Sequence, residues 1–316
     1  MSVCPAFLER RNEGIAMDQT ALRYFLEISR SGSLSKASER LFVAVSALSR
    51  QISRLEEQMG TPLFERRPRG MVLTDAGRLL ASHVKRRQIE EERVIEEIKD
   101  LSNRGAVVLR VAASRGLAPD FLPQVCAEFL KMYPRTRFHL DESMPSVATQ
   151  RVRDGSHDVA ACFNIAPERD VEIQYVQPAP VCAVMQRGHA LASRDSISLS
   201  ELGSWPIALL QEVGPLRHVL EVACSMEGLI FEPVFVADSH SALRGFVQNT
   251  DAIMLTSYLT VHGRLASLGL VAVPITNPEL HQRTLQVQTQ AGRKLPEAVE
   301  AFVALLIKTI KASPMG

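Results

Sequence analysis

From Asp75 to about Asn103 the chain runs 29 residues with no proline and a single glycine, Gly77. Proline breaks a helix by removing an N–H and clashing with the preceding turn, and glycine weakens it. The stretch therefore predicts one long helix, about 44 Å at 1.5 Å per residue. Positions 80, 84, 87, 91, 94, 98 and 101 step alternately by four and three, the spacing of a heptad seam. Their occupants are Leu80, Val84, Arg87, Glu91, Val94, Ile98 and Leu101. A helix this polar on its other faces needs a partner, and Leu80, Val84, Val94, Ile98 and Leu101 are the residues expected to dimerise. The helix separates a small N-terminal part from a larger C-terminal one. A length of 316 residues fits that division at roughly 150 residues per domain.

The formal charge of the whole chain is +1, which taken alone argues against a nucleic-acid binder. Its distribution says otherwise. Residues 18–87 carry a net +6, residues 88–104 a net −3 and residues 105–316 a net −2. One basic segment joined to a mildly acidic remainder is the pattern of a nucleic-acid module attached to something else.

The basic segment reads as short helices. Leu22, Phe25, Leu26 and Ser29 share one face of a first helix, which Ser31-Gly32-Ser33 interrupts. Ser33 or Ser35 can cap a second helix over 34–41, with Leu34, Ala37 and Leu41 inward. After Phe42-Val43-Ala44, residues 45–59 place Leu48, Ile52, Leu55 and Met59 on one face of about four turns. The opposite face carries Ser46, Ser49, Arg50 and Ser53. Two helices joined by a short turn, the second small and polar outward, fit a helix-turn-helix in which Arg50 reaches a guanine or a phosphate. The basic turn 65–70, between strand-like segments at 63–64 and 71–73, fits a wing placing Arg66, Arg67 and Arg69 near phosphates. Ser35 and Lys36 on the second helix, and Val45 and Arg54 on the third, complete the expected DNA-binding set.

At these residues the chain resembles the LysR-type transcriptional regulators. The resemblance is carried by Leu22-Arg23-Tyr24-Phe25, by residues 32–41 (GSLSKASERL), by residues 47–56 (ALSRQISRLE), by Gly60-Thr61-Pro62-Leu63-Phe64-Glu65-Arg66 and by Leu73-Thr74-Asp75-Ala76-Gly77. It implies a winged helix-turn-helix over 17–75, a linker helix over 76–104 that dimerises it, and an effector-binding domain over 105–316. The implied partners are double-stranded DNA, a small-molecule effector, further copies of the chain in dimers and tetramers, and RNA polymerase; no cofactor or metal is implied. Where the family usually opens its recognition helix with Ser-Gln-Pro or Ser-Gln-Ser, this chain has Ala44-Val45-Ser46. The alanine forfeits a cap, and the valine can touch a thymine methyl but cannot hydrogen-bond a base edge. Family members begin near Met17, so residues 1–16 are either an extension or precede the true start.

The C-terminal part alternates strand and helix. Strands are expected at 107–112, 136–140 and 159–163 with helices at 121–132 and 146–153. A second set has strands at 181–185, 207–210, 231–236 and 252–255 with helices at 215–226 and 241–247. A strand at 285–289 and a helix at 296–310 follow. The alternation points to parallel sheets in an α/β fold. The resemblance implies two Rossmann-like lobes of periplasmic-binding-protein type, lobe I about 105–175 and 276–316 and lobe II about 176–275. Crossovers are expected near 173–180 and 270–275. Ligands of open α/β sheets bind beyond the strand C-termini, where helix N-termini offer free N–H groups. That rule selects Ser114, Arg115, Ser143 and Asn164 in the first lobe, and Gln211, Ser239, His240 and Thr250 in the second.

No H-E-x-x-H, G-x-S-x-G, G-x-x-x-x-G-K-[ST] or G-x-G-x-x-G motif occurs, so an enzyme is not the expectation. The five scattered cysteines read as reduced thiols, with a redox-sensing role for Cys162, Cys182 and Cys224 as the alternative. No apolar run approaches the roughly 18 residues of a membrane span, and no signal-peptide core opens the chain, so the expected address is the cytoplasm. The remaining alternative is a ligand-binding protein or enzyme that carries a DNA module for another purpose.

Overall fold

The computed structural model describes residues 18–68, 70–102, 107–211 and 214–313. The first 16 residues and Arg69 lie outside them. The chain forms two units, 1–91 and 92–316.

The first unit opens with α1 (Gln19–Ser31), capped by Asp18, whose carboxylate accepts the Thr20 N–H at 2.9 Å. Leu22, Phe25, Leu26 and Ile28 are buried, while Ser29 is only half-buried, so Ile28 fills the inner position that the spacing gave to Ser29. Gly32 ends the helix in the left-handed region at φ 65°. Ser33 caps α2 (Leu34–Leu41), its hydroxyl accepting the Lys36 N–H at 3.4 Å. α3 (Val45–Met59) buries Leu48, Ile52 and Leu55, each worth about 1.5–3 kcal/mol of transfer from water. Strands β1 (Phe64–Arg67) and β2 (Gly70–Leu73) pair antiparallel, from Phe64 opposite Leu73 to Arg67 opposite Gly70. The wing therefore stays paired through Arg67 and Gly70. Glu56 on α3 anchors its base, one carboxylate oxygen accepting the N–H groups of Leu63 (2.8 Å) and Phe64 (3.2 Å).

The long helix α4 (Asp75–Ser102) follows. Leu80 and Val84 are 8% and 4% exposed and belong to the core that α1 and α3 build. This corrects the assignment of those two residues to a dimer seam: the first turns of α4 complete the head's own core. The exposed apolar residues of α4 are Leu79, Val94, Ile95 and Ile98. The side chain of Leu101 lies outside those described.

The second unit has two five-stranded sheets. Lobe I contains β3 (Val107–Ser114), β4 (Thr136–Ser143), β5 (Val159–Asn164) and β6 (Val171–Pro178), with α5 (Phe121–Met132) and α6 (Pro145–Arg153). Lobe II contains β7 (Val181–Gln186), α7 (Leu199–Leu202), β8 (Ile207–Leu210), α8 (Pro215–Glu227), β9 (Phe235–Ala237), α9 (His240–Val247), β10 (Ile253–Ser257) and β11 (Leu270–Pro274). The chain then returns to lobe I as β12 (Thr284–Gln290) and α10 (Glu297–Ala312). The strand orders are β4-β3-β5-β12-β6 and β11-β7-β10-β8-β9.

Both sheets are mixed, which corrects the expectation of parallel ones. β12 runs antiparallel to β5 and β6, and β10 antiparallel to β7. The reason is topological: a strand entering a lobe from the other lobe arrives from the opposite end. The segments read as crossovers also belong largely to sheets. β6 pairs with β12 and β11 with β7, so their backbone groups are satisfied in the ladders. The passages between lobes are Ala179-Pro180 and residues 275–283.

Candidate functional site

In the head, burial of one face of α3 leaves the other outward. Ser46, Arg50, Ser53 and Arg54 are exposed, and Ser49 is half-buried. Val45 is 41% exposed, and Ser35 and Lys36 are exposed at the start of α2. Phe42, 95% exposed, adopts φ 55° in the turn before α3. On the wing, Arg66 is exposed, and Arg67 donates to Glu65 through Nε (3.1 Å) and Nη2 (2.7 Å). An exposed pair of this kind contributes at most about 1 kcal/mol, so a phosphate oxygen can displace Glu65.

Ala44 occupies the cap position of α3 at φ −57°, ψ 138° with no side-chain hydrogen bond. A serine there reaches the orphan amide at no backbone cost. Ala44→Ser is expected to stabilise the head by about 1 kcal/mol, read as a higher thermal midpoint; an unchanged midpoint would show that the amide is satisfied otherwise.

The second unit contains a cleft where the strand ends of its two lobes face each other, enclosing about 660 Å³ of empty space including its open mouth. Of the residues selected by the strand-end rule, Ser114, Arg115, Ser143 and His240 line it. Ser114 is held by accepting the Phe163 N–H at 3.0 Å. Arg115 donates to the Asp238 carbonyl of the opposite lobe at 2.7 Å. The Ser143 hydroxyl is buried without a partner.

The other four do not reach the cleft. Asn164 points into the interior of lobe I, donating to Gln286 at 3.4 Å. Thr250 donates to the Phe246 carbonyl at 2.9 Å and fixes the turn after α9. Ser239 caps α9 by accepting the Ser241 N–H. Gln211 is exposed, its backbone N–H paired with Ala237. Asn164, Thr250 and Ser239 serve as internal partners or caps, the ordinary use of small polar residues beside strand ends.

The cleft also contains residues that the strand-end rule did not select: Phe163, Thr256, Thr260 and Arg283. Arg283 is 3% exposed and lies over the Phe163 ring, its guanidinium carbon 4.4 Å from the centroid. Burial pulls its pKa down to about 10, which leaves it charged at neutral pH. Thr260 donates to the Ser257 carbonyl (2.7 Å), so the Thr256 hydroxyl donates to Thr260 (2.7 Å) and accepts from His240 Nε2 (3.4 Å). His240 Nδ1 is left buried and unpartnered. Burial, reinforced by the charges of Arg283, Arg244 and Arg115, pushes His240 down to about 4 and keeps it neutral.

Beside the cleft, Asp120 of lobe I is bound by two arginines of lobe II, Arg244 and Arg264, the second at 3.0 Å. Burial would raise its pKa, but the hydrogen bond and charge of Arg244, then the charge of Arg264, outweigh it and hold the carboxyl below its usual range. A depressed carboxyl contributes stability that is complete above its unfolded pKa and lost as pH falls through the folded one. Asp120→Asn is therefore expected to cost about 1–3 kcal/mol at neutral pH. The difference from wild type should close in strong acid, as thermal melts across pH would show; a constant difference would locate its role elsewhere.

Cys126, Cys162, Cys182 and Cys224 are free and buried. Burial raises the thiols of Cys162 and Cys182 to about 12, which disfavours the thiolate that redox sensing requires. Among the described residues no group of side chains is arranged to hold a metal ion, and no helix is long and apolar enough to cross a membrane.

Two family profiles match the chain. Residues 19–78 match "Bacterial regulatory helix-turn-helix protein, lysR family", and residues 103–311 match "LysR substrate binding domain". The chain is 26% identical over 295 residues to the transcriptional dual regulator GltC of Bacillus subtilis, covering 92% of this chain and 97% of that one. In fold it is similar to HinK, a LysR family transcriptional regulator from Pseudomonas aeruginosa, with TM-score 0.54, 22% identity and coverage of 93% and 99%. It is also similar to full-length CbnR in complex with its target DNA, with TM-score 0.56, 18% identity and coverage of 93% and 100%.

Proposed function

The chain belongs to the LysR family of bacterial transcriptional regulators, and from that premise we propose how its own residues carry the function. α3 enters the major groove of operator DNA with Ser46, Ser49 and Arg50 toward the bases, while Lys36, Arg54, Arg66, Arg67 and Arg69 neutralise phosphates. The observation that carries this assignment is the division of α3. Leu48, Ile52 and Leu55 close the core, and the uncommitted polar face stands beside a basic hairpin. Two heads pair through α4, using Val94, Ile98 and the neighbouring Ile95, and pairs assemble into tetramers. The setting is the cytoplasm. The cleft of the second unit is read as a binding site for a small effector, not a catalytic one. An effector that favours one arrangement of lobes and subunits alters the spacing of the heads on DNA by population shift.

Footprinting of the DNA flanking the gene tests this directly. Protection is expected at two half-sites separated by whole helical turns; no protected site at physiological salt would overturn the assignment. Val45 supplies a finer test. If it packs on a thymine methyl, replacing that thymine by uracil removes one buried methyl, worth about 0.8 kcal/mol or roughly fourfold in affinity. Val45→Gln should shift base preference without abolishing binding. Equal affinity for T and U at every protected position would remove this contact.

A further inference from the structure

Arg283 is a charged side chain in the wrong place for an ordinary surface arginine. It is 3% exposed, lines the cleft, and has no partner at Nε. Among the described residues no carboxylate is found paired with its guanidinium, and no acidic side chain lines the cleft. A desolvated charge is costly unless it is paired and hydrogen-bonded, and contact with the Phe163 ring compensates only in part. The other arginines at the cleft are engaged, Arg115 with the Asp238 carbonyl and Arg217 with Glu221 of its own helix.

Other groups around Arg283 act in the same direction. α6, α8 and α9 present their first residues, Pro145, Pro215 and His240, to the cleft, so three positive helix ends face the same space. The Ser143 hydroxyl is buried and unpaired, ready to donate. His240 is neutral and offers Nδ1 as an acceptor. Lobe II adds an apolar lining of Leu209, Leu216 and Leu220.

We propose that the effector is a small organic carboxylate, its carboxylate held by Arg283 and Ser143 and its apolar body laid against Phe163, Leu209 and Leu220. A hydroxyl on that body would satisfy His240 Nδ1. A single uncommitted guanidinium beside a neutral histidine suits a monoanion better than a phosphate dianion, and the apolar wall selects against bare inorganic anions. This inference rests on the cleft being the effector site and adds the charge of what fills it.

The test uses the full-length protein and calorimetric titration with hexanoate and phenylacetate, each matched by its primary amide, alongside phenyl phosphate and inorganic sulfate. The acids are expected to bind and raise the melting temperature, with the amides and sulfate at least about tenfold weaker, as loss of a charged hydrogen bond implies. Arg283→Met should abolish the preference for acid over amide and, by removing a buried unpaired charge, raise the melting temperature of the unliganded protein. Amides binding as well as acids would overturn the carboxylate proposal and leave the cleft assignment standing. Acid binding that survives Leu220→Trp, a substitution that fills the cleft, would overturn the cleft assignment itself. Preference for phenyl phosphate, no binding by either acid, or a destabilised Arg283→Met would each overturn the proposal.

Discussion

Gly77→Ala is expected to destabilise the winged head strongly, and to weaken DNA binding as the head melts, while leaving the two effector lobes unaffected. A Cβ at position 77 would stand 2.1 Å from the Leu63 carbonyl oxygen and 2.9 Å from a Leu73 methyl. That carbonyl cannot retreat easily, because it already accepts the Thr74 N–H at 3.0 Å, while the Thr74 hydroxyl binds the Pro62 carbonyl and accepts the Gly77 N–H. The close approach joins the base of the wing to the first turn of α4. Forcing it apart should cost about 3 kcal/mol, a large share of the roughly 5–15 kcal/mol that holds a domain together. Helix propensity alone predicts the opposite sign, since alanine in a helix interior is favoured over glycine by about 1 kcal/mol. Calorimetry should show the head's transition displaced downward and that of the lobes unmoved; a stabilised head would show that propensity outweighs the close approach.

Arg50→Ala is expected to weaken operator binding by about 1–3 kcal/mol, roughly 5- to 150-fold, with much less effect on a random duplex. Arg50 is exposed on α3, so its loss uncovers no core and the melting temperature should hold. Arg66→Ala should behave differently, weakening specific and random DNA alike and lowering the salt dependence of both, because a phosphate contact carries no sequence information. Equal losses on operator and random DNA for Arg50→Ala would move it from the bases to the backbone.

Periodicity made the head legible because its elements satisfy their own geometry. Leu48, Ile52 and Leu55 sit at helical spacing and are buried, and Ser33 caps where a serine precedes a helix. Leu80 and Val84 show the limit of that reasoning. A heptad spacing marks an apolar stripe but not what covers it, and here α1 and α3 cover its first two positions. Four of the eight residues chosen by the strand-end rule, which finds the loops after parallel strands, line the cleft. Arg283 escaped it because β12 runs antiparallel, with Thr284 opposite Asn164. The start of β12 therefore lies at the end of the sheet where β5 finishes, and Arg283 precedes it. Recognising that the returning strand, expected at 285–289, runs antiparallel to its neighbours would have placed the arginine at the cleft from sequence. Asn164 and Thr250 failed for the opposite reason: their hydrogen bonds are made inward, which residue type alone does not reveal.

Whether this chain reads a DNA sequence is decided by the ratio of its affinities for a footprinted site and for a random duplex of equal length. Measured at physiological salt by equilibrium titration, the ratio should be at least about 10³ in favour of the site, as for specific regulators generally. Both affinities should fall linearly on a log–log plot against salt concentration. A ratio near one would mean a basic head that binds DNA without reading it.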